Sequence, residues 1–132
     1  MGGTPAFAAG AAQGKDMTAD TLDACLSNQK TVSTADQTAC YATALKTYDI
    51  RLNAAYRKLM RILPAPAAQN LRASQREWIV FRDTELQTQS TLFESRHGTM
   101  YVPMQEYEGL ALTQERALRL ESYSRVLEID GP

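Results

Sequence analysis

The side chains that could do chemistry are few, and they are poorly placed for catalysis. His97 is the only histidine and lies beside Gly98, so a serine or cysteine nucleophile has no well-positioned base. Asp83, Glu85 and Glu94 could supply a carboxylate pair for glycoside cleavage, but such acids on a helix surface are usually solvated or ion-paired. No phosphate-binding glycine motif is present. The sequence predicts a protein without catalytic residues, metal or cofactor.

The two cysteines, Cys25 and Cys40, are the next candidates for chemistry. They lie fifteen residues apart, each within a helical pattern and with a turn between them. This spacing favours a disulfide across a helix corner, which would indicate an oxidising compartment. Two buried free thiols in a cytosolic protein are the alternative. A structural zinc site is disfavoured because it usually needs four nitrogen or sulfur ligands.

The hydrophobic pattern predicts an all-α fold, with a short N-terminal helix and three long antiparallel helices that form a helical hairpin or bundle. The expected helices cover 18–28, 34–63, 67–94 and 103–128, with Thr18 as the first N-cap and Thr34 with Gln37 as a capping box. Pro64 and Pro66 separate the second and third helices. The apolar residues expected to face inward are Tyr41, Leu45, Tyr48, Leu52, Ala55, Leu59, Ile62, Leu71, Trp78, Phe81, Leu92, Leu110, Ala117, Leu120 and Leu127.

Residues 1–17 are small and carry no bulky aliphatic cluster, so they are predicted to form a disordered tail. They are interpreted as a natural tail or as what remains of a trimmed signal, and the helical domain is expected to cover 18–128. No apolar run is long enough to cross a membrane. Charge is almost balanced, with 14 basic and 15 acidic residues, which argues against a nucleic-acid partner.

Charge is nevertheless uneven along the chain. Residues 51–82 contain seven basic residues and one acid, whereas residues 83–132 contain nine acids and four basic residues. The first interpretation is that the last helix packs against the earlier ones and pairs these charges. The second is that the basic tip around the proline turn meets an anionic partner such as a cell-wall polymer.

A polar cluster surrounds the only tryptophan, within the run 74–83, and faces the run 48–56 across the predicted hairpin. Asp49 or Asn53 is expected to reach Arg76 or Arg82 and to fix the helix register by charge-assisted hydrogen bonds. A ligand site built from the same residues is the alternative.

These runs resemble the LprI-type lysozyme-inhibitor family over roughly residues 22–127. The resemblance rests on the two cysteines and on a mainly structural motif set, followed by a closing T-x-E-R motif at 113–116. The motif residues are Asp49, Asn53, Tyr56, Gln75, Arg76, Trp78, Arg82 and Asp83. The resemblance implies a periplasmic or secreted bacterial binding protein, compatible with lipid anchoring of the precursor. It also implies inhibition of lysozyme or another peptidoglycan hydrolase as its function.

The sequence departs from that family at a second cysteine pair, which family members usually carry. Leu86 and the Glu108–Gly109 region occupy those places here, and packing of Leu86 is expected to replace the bridge. The candidate partner-binding residues are Arg96, His97 and Tyr101, in the loop before the last helix. A non-enzymatic envelope scaffold or cell-wall interaction module is the alternative function.

Overall fold

The computed structural model describes residues 16–129, which form four helices. They are α1 (Met17–Ser27), α2 (Thr34–Ile62), α3 (Ala65–Glu94) and α4 (Tyr101–Glu128). The all-α prediction is confirmed over this part of the chain. The predicted tail lies, apart from Asp16 and Met17, outside the described residues. None of the four helices is long and apolar enough to cross a membrane.

Helix α1 begins earlier than the sequence predicted. Its N-cap is Asp16, whose carboxylate accepts a hydrogen bond from the Ala19 amide at 3.1 Å. Thr18, the predicted cap, is instead buried in the first turn of the helix. Aspartate caps a helix as well as threonine does, and Asp16 has further partners on α2.

The capping box of α2 is shifted by one residue from its predicted place. The Ser33 hydroxyl accepts from the Asp36 amide at 3.0 Å, and the Asp36 carboxylate accepts from the Ser33 amide at 3.2 Å. Thr34 and Gln37 therefore lie inside the helix. A carboxylate accepts hydrogen bonds more strongly than the amide of Gln37 would, which favours this register.

Prolines mark the starts of the last two helices. Pro64 precedes α3 and Pro66 lies in its first turn, where a missing amide proton costs nothing. Helix α4 begins at Tyr101, two residues before the predicted start, so that Pro103 also falls in a first turn and is buried there.

Helices α2 and α4 are parallel and form the main packing interface of the bundle. Tyr41 packs edge-on against Tyr107 with ring centroids 5.6 Å apart, and further along the same pair of helices Lys58 meets Glu128 at 3.0 Å. The core between the helices is formed mainly by α2 and α4, with one residue from α3. Its buried members are Ala44, Tyr48, Leu52, Ala55, Leu59, Leu71, Leu110, Ala117 and Leu120.

Helix α3 is the least buried of the long helices, and here the predicted inward face is wrong in part. Phe81 is 53% exposed and Leu92 is 58% exposed. Ile62 and Leu127, at the proline-turn end, are also exposed although they were predicted to face inward. The reason is that α3 packs mainly on α4 and stands away from α2 over much of its length. A cleft opens between α2 and α3 as a result.

Candidate functional site

The predicted disulfide between Cys25 and Cys40 is present, with the two Cα atoms 5.8 Å apart. It joins the last turn of α1 to the second turn of α2. The connecting turn is also held by the Thr31 hydroxyl, which donates to the Cys25 carbonyl at 2.6 Å. The disulfide and this hydrogen bond fix α1 against α2.

A polar network centred on Arg51 connects α1, α2 and α4. The guanidinium donates to Asp16 at 2.7 Å and to both carboxylate oxygens of Glu121 at 2.6 and 2.9 Å. The fully buried Tyr48 donates its hydroxyl proton to Asp16 at 2.8 Å and accepts from Gln114 at 3.0 Å. The network is internally satisfied, which identifies it as a structural element that aligns three helices.

The titration behaviour of this network follows from its contacts. Burial raises the pKa of the Asp16 carboxyl, but hydrogen bonds from Arg51, Tyr48 and the Ala19 amide outweigh it and lower the pKa below its usual value of 3.8. Burial, followed by the bond to Asp16, raises the pKa of Tyr48 to about 12. Near neutral pH the aspartate is therefore charged and the tyrosine neutral.

Sequence reasoning missed this network but anticipated its charge pattern. The expected pairing of the basic middle of the chain with the acidic last helix is confirmed by Arg51–Glu121 and Lys58–Glu128. Arg51 precedes the buried Leu52, and Glu121 follows the buried Leu120. The sequence signal that could have predicted this pair is that Arg51 and Glu121, which are oppositely charged, each lie next to a leucine that faces the core.

Two of the motif residues, Gln75 and Trp78, take part in the contact between α3 and α4. Gln75, which is 7% exposed, accepts a hydrogen bond from Arg116 of the T-x-E-R motif at 2.8 Å. The half-buried Trp78 ring contacts the guanidinium groups of Arg82 and Arg116 at 5.2 and 5.9 Å. Burial lowers the pKa of Arg116. These residues hold α3 on α4.

The expected bond from Asp49 or Asn53 to Arg76 or Arg82 is not formed. Arg82 instead donates to its neighbour Asp83 at 2.9 Å, while Asp49, Asn53 and Arg76 are exposed. No hydrogen bond joins these side chains, because α3 packs mainly on α4 and stands away from α2. Of the other motif residues on α2, Tyr56 packs against the core.

Asp49, Arg82 and Asp83 instead line the cleft between α2 and α3, which has a volume of about 720 Å³ and is floored by α4. This volume is in the range of small-molecule and side-chain binding sites. The polar residues that line it are Lys46, Asp49, Arg82, Asp83, Gln89, Gln105, Glu106 and Thr113.

The floor of the cleft contains the residues that replace the family's second cysteine pair. A Cβ atom added to Gly109 would lie 3.4 Å from Leu86 Cδ2, so the two positions are adjacent, although Leu86 remains 39% exposed and packs only in part. The neighbouring Gln89 is 8% exposed, and its Oε1 accepts no hydrogen bond from the described residues.

The candidate partner-binding residues lie together at the end of the bundle where α3 turns into α4. Arg96 and His97 are exposed, and among residues 16–129 the Arg96 side chain donates only to the Ser95 carbonyl, at 3.1 Å. Gly98 makes the turn with a φ of +113°, which disfavours other residues. Tyr101, half-buried, begins α4. Within residues 16–129, no cluster of three or more potential ligands could hold a metal ion.

Comparison with known proteins finds a matching family and a similar solved structure. The sequence profile of the family described as "Lysozyme inhibitor LprI" matches residues 25–120. The crystal structure of an uncharacterized protein from Burkholderia thailandensis is similar, with 28% sequence identity and a TM-score of 0.80. The match covers 90% of this chain and 58% of that one, so this chain spans little more than half the length of its structural relative. Comparison with curated proteins finds no match.

Proposed function

This chain belongs to the LprI lysozyme-inhibitor family, and we propose that it is an exported bacterial protein that binds lysozyme and blocks its substrate cleft. The observation that carries the proposal is the family match, which extends from Cys25 to Leu120 and so includes the disulfide, α2, α3, most of α4 and the 95–100 loop. Lysozyme, or another peptidoglycan hydrolase with a similar cleft, is the proposed partner.

The 95–100 loop is the proposed inhibitory segment. It connects two long helices that fix its position, and its side chains Arg96 and His97 are exposed. The catalytic groups of a lysozyme are two carboxylates in its substrate cleft. A guanidinium held on such a loop can form charge-assisted hydrogen bonds with them, and Tyr101 supplies an aromatic surface beside it.

The basic proline-turn tip is the second candidate contact. Arg57, Arg61 and Arg72 are exposed there, and none of them pairs with an acid among residues 16–129. These arginines could meet the same carboxylates or an anionic cell-wall polymer. They lie at the opposite end of the bundle from the loop, so the two surfaces can be tested separately.

An extracytoplasmic location is part of the proposal. The Cys25–Cys40 disulfide supports it, because such bridges persist in oxidising compartments. A periplasmic protein, a secreted protein and a lipid-anchored precursor all agree with this chemistry. The family is one of inhibitors, which favours a binding function over catalysis.

An envelope scaffold is the second candidate function. Val80, Phe81 and Leu92 are 62%, 53% and 58% exposed on α3, and exposed apolar side chains of this size often mark protein contacts. A scaffold would use this surface of α3 and would need no contact with an enzyme cleft.

The deciding experiment is an inhibition titration. Purified oxidised protein is added to several lysozymes and to one unrelated peptidoglycan hydrolase, and lysis of cell walls is followed by turbidity. We expect inhibition of at least one lysozyme that saturates at an equimolar ratio and weakens with added salt, because exposed charge pairs are screened. Full lysis of the cell walls by every enzyme, even with the protein in excess, would favour the scaffold function.

A further inference from the structure

We propose that the cleft between α2, α3 and α4 binds one basic side chain, a lysine or arginine, of a partner protein. The inference rests on the proposed function only for the identity of that partner. The chemistry of the cleft itself comes from its charges, its buried amide and its shape.

The charges in the cleft favour a cation. Arg82 and Asp83 pair with each other at 2.9 Å and so compensate one another. Asp49 and Glu106 have no ion-pair partner among residues 16–129, and Lys46 is the remaining basic residue that lines the cleft. Two uncompensated acids against one base attract a cationic group and disfavour an anion.

The buried amide of Gln89 is a second and independent observation. The residue is more than nine-tenths buried at 8% exposure, and its Nε2 donates to the Glu108 carbonyl at 3.4 Å while its Oε1 has no donor. A buried acceptor without a donor is unfavourable. An ammonium or guanidinium N–H entering the cleft floor would supply the missing donor.

Gly109 places no side chain beside this oxygen of Gln89. An added methyl group would lie 4.0 Å from Gln89 Oε1 and 3.4 Å from Leu86 Cδ2, so even an alanine side chain would occupy the space beside the oxygen. Glycine within a helix costs stability relative to alanine.

The apolar part of the lining suits the stem of a long basic side chain. Leu45, Leu86 and Val102 line the cleft together with its carboxylates. Lysine and arginine bury their methylene stems on apolar surface while the charged end keeps polar contacts. Val102 and Glu106 follow Tyr101 within two turns of α4, so a protein bound at the 95–100 loop would have side chains within reach of the cleft.

A peptide titration tests the site without lysozyme. Isotope-labelled protein is titrated with acetyl-Gly-Arg-Gly-amide, and separately with the same peptide carrying citrulline, the neutral analogue of arginine. The arginine peptide should shift the amide resonances of 42–49, 82–89 and 102–113, and the citrulline peptide should not. Equal shifts from both peptides, or shifts outside these segments, would overturn the proposal.

Three variants make the test specific. Asp49→Asn and Glu106→Gln should each weaken peptide binding about fivefold, as expected for loss of a partly exposed ion pair. Gly109→Ala should weaken binding while making the protein more stable, an outcome that a purely structural role of the glycine would not give. Asp23→Asn, an exposed acid on α1, is the matched control and should bind as wild type does. If all three cleft variants bind the peptide as tightly as wild type does, the peptide binds outside the cleft and the proposal is wrong.

The outcomes also separate this site from the inhibitory function. If the protein binds the arginine peptide but inhibits no lysozyme, the cleft is confirmed as a binding site and the proposed lysozyme target is wrong. If the protein inhibits lysozyme but does not bind the peptide, the proposed target is confirmed and the cleft proposal is wrong.

Discussion

Arg51 Nη1 lies 2.7 Å from Asp16 Oδ1, and this ion pair joins the first residue of the described chain to the middle of α2. The same guanidinium holds Glu121 of α4 at 2.6 Å. All three side chains are about four-fifths buried, so solvent screens these contacts only partly. Arg51 therefore links α1, α2 and α4, together with the disulfide and the Tyr48 hydrogen bonds.

Replacing Arg51 should destabilise the fold strongly. Arg51→Met keeps much of the packing but leaves Asp16 and Glu121 without their cation, and we expect a loss of about 2–3 kcal/mol in the free energy of unfolding. Lys58→Met is the matched control, because the Lys58–Glu128 pair is exposed and should contribute less than about 1 kcal/mol. Urea unfolding of both variants provides the measurement. Equal losses would show that burial of the Arg51 network has no energetic consequence.

Acid should weaken the same network through Asp16. Its pKa is lowered in the folded protein, so its contribution is present above the usual value of 3.8 and is lost as the pH falls through the lower, folded-state pKa. The difference in unfolding free energy between wild type and Asp16→Asn should be constant above about pH 5 and should shrink below about pH 4. Urea unfolding at several pH values measures it. A difference that grows on acidification would contradict the assigned hydrogen bonds.

The sequence predicted the helices well and their contacts less well. Most apolar residues of α2 and α4 lie along one face of each helix, so Tyr48 and Leu120 were expected in the core and lie there. The apolar residues of α3 extend around more of the helix, and periodicity alone could not tell that Phe81 faces solvent. The Arg51 network joins residues 35 and 70 positions apart, which no local pattern connects.

Two aromatic residues of α3, Trp78 and Phe81, distinguish the observed packing of the helix from the packing predicted from the sequence. Trp78→Ala should cost about 2–3 kcal/mol, less than for a fully buried aromatic, because the ring is half-buried beneath two guanidinium groups. Phe81→Ala should cost less than about 1 kcal/mol, since this ring is 53% exposed. Chemical unfolding midpoints give both values. If both variants lose a similar, large amount of unfolding free energy, Phe81 faces the core, as the sequence predicted.

The disulfide should contribute substantially to stability. Replacing both Cys25 and Cys40 by serine opens a loop of 15 residues and should cost about 3 kcal/mol. Denaturing alkylation followed by mass spectrometry should find no free thiol in protein made in an oxidising compartment. Two alkylated cysteines in that material would contradict the bridge and remove its support for an extracytoplasmic location.

The most direct test of the account is inhibition by a loop variant. Arg96→Ala combined with Tyr101→Ala removes the guanidinium and the aromatic ring of the proposed inhibitory segment. Arg57→Ala combined with Arg61→Ala is the matched control at the opposite end of the bundle, where both side chains are exposed. Circular dichroism should show unchanged helicity in both variants before either is titrated against the lysozyme that wild type inhibits. We predict that the loop variant loses inhibition and that the tip variant keeps it. Wild-type inhibition by the loop variant would contradict the account, and loss of inhibition in the tip variant alone would assign the contact to the basic proline turn.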